Sequence, residues 1–187
     1  MGKNINSVVT KGFSGAIGDD IVFRQTKGDQ VVAKLPVKSK KPNLIREKFV
    51  FEFRKAILYA ISVMRNPELK KQYERIAKGV QSAYNLALRD ARKAPVVAEI
   101  NTSQYKGVVG NLIPITALDD FKVTSVRVAI YGANGVLIEE GNAIFPELSM
   151  YWIYTVTAVN AQLVGSKIEV TAVDLPGNET TAEVILD

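Results

Sequence analysis

Apolar residues recur every three or four positions between Leu44 and Leu88 and every second position in the runs after Pro95. No other feature limits the possible folds as strongly. A period near 3.6 marks an amphipathic helix, and a period of two marks a strand with one buried face. The 187 residues are therefore expected to form an α+β chain in two parts. Residues 1–94 read as a β-hairpin packed on about three helices. Residues 95–187 read as an all-β sandwich.

The helical part carries its own punctuation. Within Leu44–Met64, Ile45, Phe49, Phe53, Ala56, Ile57, Ala60, Ile61 and Met64 form one broad apolar stripe. Phe51 and Leu58 fall outside it and are expected to lie under the hairpin. Asn66-Pro67-Glu68 combines an N-cap, a proline at the first helical position and an acid in the first turn. It predicts a second helix from Pro67 to about Lys78, with Gly79 as its stop. Val80–Lys93 predicts a third. Upstream, Ser7–Gly18 resembles a loop or short edge strand. Ile21–Phe23 and Val31–Ala33 flank the turn Thr26–Asp29 and predict the hairpin. A lone hairpin is marginal in water, so packing on the helices or on a partner is expected.

After Pro95 the turns are as informative as the strands. Asn134-Gly135 separates two alternating runs and signals a tight hairpin. Pro114 inside Gly107–Ala117 predicts an edge strand, because proline cannot donate to a ladder. Lys167–Asn178, KIEVTAVDLPGN, alternates and then breaks at Pro-Gly-Asn, which predicts the last hairpin with Thr180–Leu186. Six or seven short strands in about ninety residues have the rhythm of a Greek-key sandwich.

Charge divides at the same place. Residues 1–94 hold 20 Lys and Arg against 8 Asp and Glu, and residues 95–187 hold 4 against 11. The whole chain's +5 is thus a basic half of +12 and an acidic half of −7, which suggests different partners for the two. The absence of Cys and His excludes disulfides, thiolate nucleophiles, zinc-thiolate sites and imidazole bases or ligands. No signal-peptide run follows Met1–Asn6, and no apolar run reaches the ~18–20 residues of a membrane span. A chain made and first kept in the producer's cytoplasm, without a membrane span, is expected.

Several groups invite chemistry. Asp119, Asp120 and Asp174 could supply oxygens to calcium, but a calcium cage wants more ligands than one contiguous pair, and turn capping is the simpler role. Glu139-Glu140 and Asp19-Asp20 are adjacent, so on a strand each pair splits between opposite faces and cannot act jointly. Gly12, Gly15 and Gly18 lack the Gly-Lys-Ser/Thr end of a phosphate loop and read as turn glycines. Val37–Asn43 reads as a basic hinge, and its Lys38, Lys40 and Lys41, with Lys34 just before it, are the residues expected to meet a partner. No catalytic residues, cofactor or metal are expected.

The C-terminal half resembles bacterial immunoglobulin-like modules. The likeness rests on Gly107-Val-Val-Gly110, Ala117–Val126, the aromatic strand Trp152–Thr157 and Ala172–Asn178, whose turn is similar to the Asp-x-x-Gly-Asn turn before the final strand of such modules. Taken whole, with Gly18–Phe23 as a Gly-Asp-x-Val-Phe hairpin, the chain resembles small uncharacterised bacterial proteins that combine a hairpin, a helical region and an Ig-like end. That resemblance implies a non-enzymatic interaction protein, a cargo or component of a phage-tail-like contractile injection system. It implies protein partners, including the particle's tube, and release from the cell within the particle. The alternative is a basic nucleic-acid-binding protein using residues 1–94, since lysine-rich surfaces grip phosphates. No recognised nucleic-acid fold or stacking motif accompanies that charge.

Overall fold

The computed structural model describes residues 2–4, 10, 12–26, 30–35 and 44–187, the first three through their backbone alone. The N-terminal strands are β1 (Gly2–Asn4), β2 (Gly15–Ile17), β3 (Ile21–Gln25) and β4 (Gln30–Lys34), in the antiparallel order β1-β4-β3-β2. The expected hairpin is therefore the centre of a four-stranded sheet, with Phe23 opposite Val32. Its inner contacts are local: Phe13 meets Phe23 edge to face at 6.0 Å, and Gln30 Nε2 donates to the Phe13 carbonyl at 2.7 Å. Among the described residues these strands contact chiefly one another.

Three helices follow: α1 (Leu44–Arg65), α2 (Pro67–Ile76) and α3 (Ala83–Asp90). Asn66 caps α2 as its sequence predicts, with Oδ1 accepting from the Glu68 and Leu69 amides at 3.0 and 3.2 Å. The third helix starts later than its apolar pattern suggests. Gly79, at φ +59°, turns the chain, and Ser82 Oγ then caps the Asn85 amide at 3.2 Å. Ala60 and Val63 of α1, Tyr73 of α2, and Leu86 and Ala87 of α3 form the helical core.

The helix-to-strand change falls at buried Pro95. Seven strands follow: β5 (Val96–Ile100), β6 (Leu112–Leu118), β7 (Val123–Tyr131), β8 (Leu137–Asn142), β9 (Trp152–Thr155), β10 (Lys167–Asp174) and β11 (Glu179–Ile185). They form two antiparallel sheets, β11-β10-β7-β8 and β5-β6-β9. One apolar core joins them, with Ile113 and Ile115 from β6 meeting Val126, Val128 and Ile130 from β7 and Ile168, Val170 and Ala172 from β10. The Asn134-Gly135 hairpin joins β7 to β8, with Gly135 at φ +76° and its amide donating to the Gly132 carbonyl at 2.8 Å.

Pro114 corrects one expectation. It sits in β6, the central strand of its sheet, not an edge. A strand residue directs its N and O to the same side. On that side β5 ends at Ile100, opposite Ile115. Just past it, the Pro114 carbonyl accepts from the Asn101 amide at 2.9 Å. The missing donor therefore falls where the neighbouring strand has run out. No helix among the described residues is long and apolar enough to cross a membrane.

Candidate interaction surface

Lys34 is exposed at the end of β4, paired across the ladder with Ile21. Lys38, Lys40 and Lys41, with the whole expected hinge Val37–Asn43, lie outside the described residues. Much of the helical charge is engaged locally. Arg89 Nε and Lys93 Nζ reach the two oxygens of Asp120 at 3.3 and 2.6 Å. Lys55 meets Glu52 at 3.1 Å, and Lys70 approaches Glu74 at 3.8 Å. Arg92 lies over the Phe49 and Phe53 rings, 5.1 and 5.2 Å from their centroids.

The phenylalanines under Arg92 reveal what the apolar period could not. The α1 stripe is buried at Ala56 and, together with neighbouring Val63, at Ala60, where α2 and α3 cover it, and exposed at Ile45 (80%), Phe49 (62%), Phe53 and Ile61 (both 36%). Leu44, Phe51 and Leu58, on another side of the helix, are 83, 62 and 67% exposed. The hairpin expected over Phe51 and Leu58 leaves both open. A cleft of about 350 Å³ runs between this half of α1, the end of α3 and the β10–β11 turn; Ile45, Lys48, Phe49, Glu52, Ala91, Arg92 and Asn178 line it. Its apolar floor, from Ile45, Phe49 and Ala91, suits an apolar side chain, and Lys48, Arg92 and Glu52 set charges of both signs at its edge.

Behind the cleft, a buried polar knot ties the helices to the sheets. Asp90 is 2% exposed. Its Oδ2 accepts from Tyr73 Oη at 2.5 Å, and the Tyr73 and Tyr59 hydroxyls are 2.9 Å apart. The remaining oxygens, Asp90 Oδ1 and Asp119 Oδ1, are buried without a hydrogen-bond partner. Burial, followed by the nearby charges of Asp119 and Asp174, pushes Asp90 up to about 6, against the opposing pull of Tyr73. Burial also raises the Tyr73 hydroxyl and, despite the Asn178 hydrogen bonds, Asp174. Tyr73 stacks on Phe121 at 4.1 Å between centroids and 15° between planes. Asn178 Nδ2 spans from the Asp90 carbonyl (3.3 Å) to Asp174 Oδ2 (2.7 Å).

These contacts settle what the acidic loops do. Asp119 Oδ2 caps the Phe121 and Lys122 amides at 3.0 and 2.9 Å, and Asp174 Oδ1 accepts from the Asn178 amide at 2.6 Å. Asp120 turns instead to Arg89 and Lys93. The three carboxylates considered for calcium do not converge, and no group of three or more potential ligands forms a metal site among the described residues. Glu139 and Glu140 split between faces as expected. Glu139 is buried and accepts from Tyr154 Oη at 3.0 Å, the Thr157 amide at 2.8 Å and Thr157 Oγ1 at 2.6 Å. Glu140 is exposed beside Arg127 at 3.5 Å. Sequence reasoning missed Asp90 and Tyr73 because 17 residues and a helix boundary separate them. The one available signal was an acid at the last turn of a helix, where the dipole disfavours it. No family model, curated protein or solved structure matches this chain.

Proposed function

We propose that this chain is a non-enzymatic interaction protein whose basic N-terminal half meets its partner while the acidic sheets serve as a spacer or recognition module. The open apolar face of α1 carries this reading. Ile45, Phe49 and Phe53 are exposed where a helix normally buries its stripe, and contiguous exposed apolar surface beside charge marks contact with another macromolecule. The carboxylates that could serve acid-base chemistry are engaged otherwise: Asp90 accepts from Tyr73, Asp119 caps the Phe121 and Lys122 amides, and Glu139 accepts from Tyr154 and Thr157.

The finer assignment is to a cargo or component of a phage-tail-like contractile injection particle, loaded in the cytoplasm and released within it. Support comes from the order of parts, a Gly18–Phe23 hairpin, helices and then two facing sheets that resemble an Ig-like module. The fourth strand of the seven, β8, joins the sheet of the third, sixth and seventh, whereas in constant-type Ig domains it joins the other sheet. Lys34, Lys38, Lys40 and Lys41 are the proposed contacts to the tube. Mass spectrometry of purified particles is the test: the chain is expected among their proteins, and its absence rules the assignment out. Replacing the four lysines with glutamate is expected to lower its abundance in particles by about tenfold, as for loss of a small charged contact.

A further inference from the structure

We propose that a second copy of this chain covers the outer face of α1, through an antiparallel helix pair centred on Phe51. Leu44, Phe51 and Leu58 are spaced by seven residues. On an α-helix they form a stripe drifting only about 20° per step. The stripe lies about 150° round the helix from Ala56, Ala60 and Val63, at 100° per residue. Neither α2 nor α3 can therefore reach it. A helix apolar on two sides is normally buried, yet these three side chains are the exposed ones named above. The seven-residue seam is the pattern that another helix fits best.

The stripe is self-complementary. Reversing it about Phe51 places Leu44 of one copy against Leu58 of the other, and Phe51 against Phe51, as a two-fold interface requires. The charges agree with this register. Glu47 and Arg54 lie on the same flank, about 40° and 60° from the stripe. In the antiparallel pair, Glu47 of one copy falls within about 1.5 Å, along the axis, of Arg54 of the other. The symmetry makes that contact twice. On the other flank Lys55 of one copy falls within about 1.5 Å, along the axis, of Lys48 of the other; Lys55 is already held by Glu52 at 3.1 Å and sits 5.9 Å from the Phe51 ring centroid, which limits repulsion there.

Stripe and flanking stems offer on the order of 500 Å² per copy, or about 1,000 Å² for the pair, the lower end for a specific interface. A reversible dimer with a dissociation constant of about 10 µM is therefore expected. This inference does not depend on the injection particle. Sedimentation velocity on the full chain is expected to show a mass rising from 20.5 kDa towards twice that between about 2 and about 200 µM. Phe51→Asp and Leu58→Asp, both at exposed positions, should keep the native circular dichroism and remain monomeric throughout. The chain has no cysteine, so Phe51→Cys gives a second readout. It should form a disulfide-linked dimer at least tenfold faster than Leu148→Cys, at a residue exposed elsewhere. A wild-type monomer across the range overturns the inference. So does association that survives both aspartate variants, or equal cross-linking of the two cysteine variants.

Discussion

Strand β10 and helix α1 carry equally regular apolar patterns, and the protein treats them in opposite ways. Ile168, Val170 and Ala172 are fully buried, because β6 and β7 supply apolar neighbours for every inward position. In α1 the same regularity is satisfied at Ala56 and Ala60 and in part at Ile57 and Met64, while Ile45, Phe49, Phe53 and Ile61 lie in the open. Periodicity thus states which face an element would bury. It does not state whether the chain has enough structure to cover that face. Where it does not, the remainder is the natural place for a partner.

The largest expected effect separates the two patterns. Ile168→Ala should cost about 2–5 kcal/mol through lost transfer energy and a cavity, read as a lower midpoint in urea unfolding. Phe49→Ala in the open half should stay within about 0.5–1 kcal/mol. Equal losses would show that the stripe of α1 is covered after all. Next comes the knot that joins the two regions: Tyr73→Phe removes the donor to Asp90 and should cost about 1–3 kcal/mol.

The pH dependence of the same knot follows from its sign. Asp90 is raised in the folded protein to about 6, above its unfolded value of about 4. The folded state therefore holds more protons between these values. Its stabilisation is full below the unfolded pKa and is lost as pH rises through about 6. Asp174 is shifted in the same direction. A fall of on the order of 1–2 kcal/mol between about pH 4 and pH 6 is expected from this knot. Asp90→Asn should flatten that part of the profile; an unchanged slope would remove Asp90 as its source. The smallest effect belongs to the exposed pair at the junction. Lys93→Ala should cost no more than about 1 kcal/mol and lose its effect in high salt.

Local patterns were readable in the chain wherever neighbours in sequence settle the structure. Asn66 caps α2, Asn134-Gly135 turns a hairpin, and Glu139 and Glu140 face opposite ways because strands alternate. What depends on distant partners was not readable. Pro114 looked like an edge residue because strand order is not encoded locally, and its tolerance depends on where β5 stops. The Asp90 knot was invisible because Asp119 and Asp174 look like turn-cappers, which they also are; only folding brings them to the end of α3. Phe51 and Leu58 were correctly set apart from the core stripe, but residues outside a pattern do not name their cover.

Hydrogen exchange at two protein concentrations compares β10 and α1 most directly. Amides of Ile168–Asp174 are expected to exchange at the same slow rate at low and high concentration, since their protection is intramolecular. Amides of Leu44–Leu58 should exchange faster at low concentration and slow by about tenfold when the protein is concentrated. Equal and concentration-independent protection of both segments would contradict an open face on α1 that awaits a second copy.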